Sequence, residues 1–161
     1  MLLGIISDTH NRLERTAKAV HQLQDAGIET LIHCGDISHP DILALFTGWP
    51  TYFVMGNNDD DAELRHALTL MNHLNYLHRG DIIELAGKRI AITHGHLYRE
   101  MQALMMQEPD YMLSGHTHVA HDELTRNIRC INPGALHRAS EYSVATLNLL
   151  TNQLQFLPVR G

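Results

Sequence analysis

Five short polar clusters in this 161-residue chain could do chemistry together: Asp8-Thr9-His10, Gly35-Asp36, Gly56-Asn57-Asn58-Asp59, His94-Gly95-His96 and Gly115-His116-Thr117-His118. They offer carboxylates, imidazoles and an amide oxygen but no thiolate. That donor set suits borderline or hard divalent cations such as Mn²⁺, Fe²⁺, Ni²⁺, Co²⁺ or Zn²⁺, and it disfavours a closed structural zinc site. Each cluster alone has a plainer reading. Asp8-x-His10 could cap the next helix, Gly35-Asp36 could be a turn, Gly56 to Asp59 a loop, and His116/His118 a hydrogen-bonded pair. What sets them apart is their shared position, because every one follows an apolar, strand-like run.

Those runs are the elements that must position the clusters. Leu2 to Ser7 reads as a strand, followed by a helix from Leu13 to Gly27 with Ala17, Val20 and Leu23 near helical spacing. Thr30 to His33 reads as a second strand; Pro40 then fits a first helical turn, with Ile42, Leu43, Leu45 and Phe46 as its apolar face. Thr51 to Met55 is a third strand, and Ala62 to Met71 a helix with Asp60, Asp61 and Glu63 at its positive end. After Gly80 the pattern changes to a hairpin, with Asp81 to Leu85 and Lys88 to Thr93 flanking Ala86-Gly87. A helix near Leu97 to Met106 precedes a strand at Tyr111 to Ser114. Glu123 to Arg126, Arg129 to Asn132, Ser143 to Leu149 and Gln153 to Pro158 alternate like half-exposed strands. The expected architecture is α/β, a two-sheet β-sandwich flanked by helices, as one domain over residues 1–161.

Open α/β sheets gather ligand sites at the carboxyl ends of their strands, so Asp8, His10, Asp36 and Asn57 are expected to converge. If the segments stay extended, residues i and i+2 share a side, and Asp8/His10 and His116/His118 each aim two groups at one point.

Composition narrows the partners. Twelve Lys+Arg against eighteen Asp+Glu leave a net charge of −6, with no basic run, so an extended nucleic-acid surface is not expected. A small anionic substrate fits only if metal ions reverse the local charge. Met1 to Ile6 is too short, and lacks the basic flank, for a signal peptide or membrane span, so a cytoplasmic location is expected. Cys34 and Cys130 are read as free thiols.

The ordered set Asp8-x-His10, Gly35-Asp36, Gly56-Asn57, His94 and Gly115-His116-x-His118 resembles the calcineurin-like metallophosphoesterase superfamily. The short chain and Asn132-Pro133-Gly134 are similar to its small bacterial and archaeal phosphodiesterase branch, and the likeness runs from about Gly4 to Arg138. The resemblance implies a four-layer αββα fold. It implies that Asp8, His10 and His118 hold one metal ion and Asn57, His94 and His116 a second, with Asp36 bridging, and Mn²⁺ is the first expectation for both. A shared carboxylate keeps two ions about 3.5–4 Å apart, near enough to clamp one phosphate and acidify a bridging water. The expected reaction is hydrolysis of a small phosphodiester by that hydroxide, attacking phosphorus in line.

One departure matters. Many superfamily members carry His after the motif Asn, where it is thought to protonate the leaving group, whereas this chain has Asn58, and an amide is no acid at neutral pH. A preference for leaving groups that depart without protonation follows. His96, two residues from His94, is read either as a substitute donor or as a pocket-lining support of the ligands. The competing class is a protein-interaction scaffold, because a retromer-type subunit shares the resemblance and also lacks that His; all seven ligand side chains being present favours the enzyme.

The remaining polar residues have blander readings. Asn11 is expected to cap the first helix ahead of contacting phosphate, Asp59 to cap the next helix, and His33 to be packed. Arg138 is read as solvated, and Asn132-Pro133-Gly134 as a turn. His21, His39, His66, His73, His78, His121 and His137 have no ligand-like context. Met101, Met105 and Met106 are read as core or as a contact between copies of the chain, a homo-oligomer.

Overall fold

Neighbouring residues along the inner strands part company, which is how two sheets and two helical layers come from one pattern. The computed structural model describes residues 1–71 and 74–160, so His73 lies outside them. The first half runs β1 (Leu2–Ile6), α1 (Leu13–Asp25), β2 (Thr30–His33), a 3₁₀ segment (Pro40–Phe46), β3 (Thr51–Val54), α2 (Asp61–Leu70) and β4 (Asn75–His78). The second half runs β5 (Gly80–Leu85), β6 (Lys88–Thr93), α3 (Tyr98–Met105), β7 (Tyr111–Leu113), β8 (His121–Thr125), β9 (Ile128–Asn132), β10 (Ser143–Asn148) and β11 (Gln153–Pro158).

The strands form a six-stranded sheet in the order β11-β10-β1-β2-β3-β4 and a five-stranded sheet in the order β5-β6-β7-β9-β8. Leu3, Ile5, Ile32 and Val54 of the first sheet meet Ile90, Ile92, Tyr111, Leu113 and Ile131 of the second in the core between them. The alternate residues Ile6, Leu31 and Phe53 face outward onto α1, the 3₁₀ segment and α2 through Leu23, Ile42, Phe46 and Leu64. On the far side, Ala91 and Met112 take Leu104, Met101 and Met105 of α3. Period-two alternation therefore yields helices, sheet, sheet and helix, the four-layer αββα arrangement expected.

Several sequence expectations need correction. Pro40–Phe46 is a 3₁₀ segment rather than an α-helix, opened by Pro40 and by the His39 side chain accepting from the Asp41 N–H. β4 was not foreseen: Asn75 to His78 is only half-buried and carries no apolar run, yet it pairs in parallel with β3. β8 begins at His121, two residues before the expected Glu123, and turns into β9 through Arg126 and Asn127, both at positive φ. The Ala86-Gly87 hairpin has the positive φ at both central residues that a tight hairpin needs. Asp60 caps α2 by accepting from the Glu63 N–H at 2.9 Å. Met101 and Met105 pack in the core, whereas Met106 is 79% exposed. Among the described residues, no helix is long and apolar enough to cross a membrane.

Candidate metal centre

β1, β2 and β3 of the first sheet and β6 and β7 of the second end at the same edge of the sandwich, and the loops leaving them carry the five clusters. Here the geometry departs from the expected alternation. Asp8, His10, His116 and His118 have φ of 53°, 42°, 68° and 59°, so the ligand-like residues sit in left-handed backbone just past β1 and β7. Asn11, Asp36, Ser38 and Arg138 share that conformation, making eight of the thirteen non-glycine residues at positive φ among the described residues. Each costs roughly 1–3 kcal/mol, and such strain persists where surrounding contacts over-determine it.

Those contacts can be traced. The Asp8 N–H donates to the Gly35 carbonyl, the His10 N–H to the Asp36 carbonyl and the Leu136 N–H to the Asp8 carbonyl. Asp8 Oδ2 accepts from Ser7 Oγ at 2.6 Å and from the His116 N–H at 3.0 Å, leaving Oδ1 free to face the centre. Asp59 does not cap α2; its carboxylate accepts from the N–H groups of Asp36, Ser38 and Gly56 at 2.7–2.9 Å and so ties the β2 loop to the β3 loop. Gly56 is required there because a Cβ would run into the Asp36 carboxylate, and at Gly115 a Cβ would overlap the Ser7 hydroxyl. Asn11 makes no side-chain cap on α1, whose N-cap is Arg12, and its side chain stays exposed.

The side chains then converge. Asp8, His10 and His118 bring ligand atoms within 4.8 Å of one another, and so do Asp8, Asp36 and His94. Asp8 belongs to both groups, and Asp36 Oδ2 lies 3.3 Å from His10 Nε2 and 3.4 Å from His94 Nε2, between those two rings. Asn57 Oδ1 is 3.1 Å from His94 Nε2. The exposed His116 ring stands edge-on to His94 at 5.1 Å between centroids. His96 is 5.3 Å from His94, and its Nδ1 is buried without a hydrogen bond. Asn58 donates its backbone N–H to Asp36 Oδ1 at 2.9 Å and its amide to Oδ2 at 2.8 Å. A cavity of about 340 Å³ is lined by His10, Asp36, Asn57, Asn58, His116, His118, His137 and Arg138.

Proton positions test whether these residues suit a cation. A carbonyl only accepts, so His94 Nδ1 must donate to Cys34 O at 2.7 Å and His118 Nδ1 to Arg138 O at 3.3 Å. In the neutral rings the Nε2 lone pairs then face Asp36 Oδ2 and Asn57 Oδ1, and Asp8 Oδ1, respectively. Lone pair meets lone pair, and only a cation or an extra proton reconciles them. Asp8 Oδ1 and His10 Nε2 are likewise buried without a hydrogen bond. The titration behaviour tells the same story. Burial alone would raise Asp36, but contacts with the His10 and His94 rings and the Asn58 N–H hold it well below the usual carboxylate range. Burial alone would lower His94, but Asp36 outweighs it and raises the ring. Ligating imidazoles characteristically donate their other N–H to a backbone carbonyl, as both rings do here. The donor set fits divalent metal.

Two more residues line the wall: His137, which the sequence left without a role, and Arg138, exposed as expected. His137 accepts from Arg12 Nε at 3.1 Å and lies tilted against His10, 4.7 Å between ring centroids, while Arg138, though exposed, flanks the cavity. Partial burial, with the neighbouring charges of His10, Arg12 and Arg138, pushes His137 down to about 4. His33 is packed as expected, fully buried between Thr9 Oγ1 at 3.1 Å and the Gly35 N–H at 3.2 Å. Burial and the nearby His94 lower it to about 3.

Known proteins resemble the chain in sequence and fold. The phosphodiesterase MJ0936 of Methanocaldococcus jannaschii is 32% identical over 138 residues, 83% of this chain and 83% of that protein. A solved structure described as a novel archaeal phosphodiesterase has a TM-score of 0.90 at 27% identity, covering 98% of this chain and 99% of that one. Wild-type Vps29 of Entamoeba histolytica, solved with Zn²⁺, has a TM-score of 0.64 at 18% identity, over 99% of this chain and 100% of that one. That last likeness shows the fold alone. Residues 1–153 match the calcineurin-like phosphoesterase superfamily domain. With that match over nearly the whole length and the two-sheet fold in common with these structures, the chain belongs to the calcineurin-like phosphoesterase superfamily and is by class a hydrolase of phosphoric esters.

Proposed function

We propose that the chain hydrolyses small phosphodiesters at a centre that takes two divalent ions, Mn²⁺ before Ni²⁺, Fe²⁺, Co²⁺ or Zn²⁺. The observation that carries the reading is the unreconciled convergence of imidazole lone pairs and carboxylate oxygens around Asp8 and Asp36. Asp8, His10 and His118 would hold one ion, Asn57, His94 and His116 the other, with Asp36 between them. When bound, the ions supply positive charge against the phosphate oxygens and an acidified water as nucleophile.

The chain's own residues set the rest. Ser7, the His116 N–H and Asn58 fix the carboxylate rotamers before substrate arrives, so little reorganisation accompanies the reaction. Asn58 acts as the orienting partner of Asp36 and has no proton to give a leaving group. Diesters whose leaving group departs as a stable anion are therefore the favoured class over monoesters. His96 stands beside His94 and His116 but off the cavity wall, which suits support of those rings better than contact with the leaving group. A cytoplasmic location belongs to the same reading, supported by the free thiols of Cys34 and Cys130.

The test is metal-stripped protein reloaded with each ion and assayed on bis(p-nitrophenyl) phosphate and p-nitrophenyl phosphate, with metal content measured in parallel. Two equivalents of Mn²⁺ per chain and faster turnover of the diester are expected. Absence of turnover with every metal overturns the reading, and metal uptake without turnover would favour the scaffold class.

A further inference from the structure

The cavity wall contains an imidazole whose proton sits on the opposite nitrogen from those of His94 and His118. In those two rings Nδ1 carries the proton, because it meets a backbone carbonyl, and Nε2 presents a lone pair to the centre. At His137 the guanidinium of Arg12 donates to Nδ1 at 3.1 Å. A guanidinium has only donors to offer, so Nδ1 must be the lone-pair nitrogen and Nε2 must carry the proton. Neither nitrogen of His137 is then available to a cation. What it presents instead is an N–H.

That N–H has nowhere else to go. Among the described residues Nε2 of His137 makes no hydrogen bond and is not among the buried unpartnered atoms, so it is solvent-accessible, on a ring that lines the cavity. The ring is held by its tilted contact with His10, 4.7 Å between centroids, and by Arg12 at the start of α1. The segment carrying it is pinned on both sides. Arg15 donates to the Leu136 carbonyl at 2.6 Å, and its guanidinium lies 3.6 Å over the Tyr142 ring. Arg138, next in sequence, adds a positive charge to the same wall while its carbonyl holds His118. A fixed donor with a cation beside it, aimed at the mouth of a phosphoester site, matches an anionic oxygen.

We propose that His137 is a substrate-binding residue whose Nε2–H donates to a non-bridging oxygen of the phosphodiester, and that Arg12 is the positioning residue that sets its tautomer. The proposal rests on the phosphodiesterase reading. It divides three imidazoles of the site by proton position: His94 and His118, with Nδ1–H, face the metal, and His137, with Nε2–H, faces the phosphate.

The tautomer is read first, on metal-free ¹⁵N-labelled protein by long-range ¹H–¹⁵N correlation. His137 is expected as Nε2–H and His94 and His118 as Nδ1–H, with Arg12→Met releasing His137 into exchange between its two forms. Binding is read second, on Mn²⁺-loaded protein, from inorganic phosphate affinity and from KM and kcat for bis(p-nitrophenyl) phosphate. His137→Ala should raise KM and weaken phosphate binding about tenfold, the loss of one hydrogen bond to a charged group. In the same variant kcat should stay within about threefold and Mn²⁺ affinity within about twofold. His137→Gln, which keeps an N–H near that place, should recover most of the loss.

An Nδ1–H tautomer at His137 overturns the proposal. So does unchanged phosphate affinity in His137→Ala, and so does loss of Mn²⁺ uptake in that variant, which would make the ring a metal support. An inactive wild-type protein overturns the phosphodiesterase reading instead, while the tautomer and phosphate affinities still decide the role of His137.

Discussion

The Cys34 carbonyl accepts from His94 Nδ1 at 2.7 Å, and this one hydrogen bond turns the other face of the ring toward Asp36. Cys34 is the residue after β2 and His94 the residue after β6, so the bond joins the two sheets at the edge where the donors gather. A backbone atom of one sheet thereby sets the proton position, and so the ligand character, of a side chain from the other.

Metal should stabilise the fold measurably. With Mn²⁺ at about one hundred times its dissociation constant, linkage gives about 2.7 kcal/mol, or a Tm rise of about 5–10 °C for a chain of this size. Thermal unfolding with Mn²⁺ and with chelator measures it, and Asp36→Asn, which removes the central charge, should abolish most of the shift. A full shift in that variant would place the ion elsewhere.

Replacing Asn58 by His restores the residue that many superfamily members carry. Asn58→His should raise turnover of substrates with poor leaving groups about a hundredfold, the low end for a positioned acid, while changing bis(p-nitrophenyl) phosphate little. The ratio of the two rates reports it. His96→Ala should leave that ratio unchanged if His96 only supports its neighbouring rings.

His33 ties stability to acidity. Its folded pKa of about 3 lies below the unfolded value near 6.5, so the unfolded chain binds the extra proton between these limits. Its contribution is fully present above pH 6.5 and is lost as pH falls toward 3, on the order of 5 kcal/mol in all. Urea unfolding at pH 7 and pH 4 should show a smaller difference in His33→Gln than in the wild type. Equal slopes would remove His33 from the acid response.

Gly56→Ala sets a methyl group against the Asp36 carboxylate. The same methyl would also meet the Asp36 backbone N, so the substitution must shift the β2 loop together with the carboxylate that Asn58 holds. Metal affinity by calorimetry should fall about 10–100-fold, the range seen when the support of a ligand is disturbed. Undiminished affinity would show that Asp36 does not need its present position.

The fold was largely legible because the inner strands alternate between two apolar destinations, and the site because its donors recur just past those strands. What stayed hidden depends on distant contacts. β4 forms an edge on β3 with too few buried side chains to mark it. The left-handed backbone at Asp8 and His118 follows from hydrogen bonds to Gly35 and from the packing of whole loops, so a reading based on extended alternation missed it. His137 gains meaning only from Arg12, 125 residues earlier, and Asp59 only from three N–H groups on two loops.

The centre straddles the seam of the sandwich: Asp8, His10, Asp36 and Asn57 arrive from one sheet, His94, His116 and His118 from the other. An ion gripped from both banks is a rivet, and the two sheets can no longer shear past one another without stretching its bonds. Loading the protein should therefore slow amide exchange along β1 and β7 together, the strands that lead into the site loops, and make the halves of the chain come apart as one.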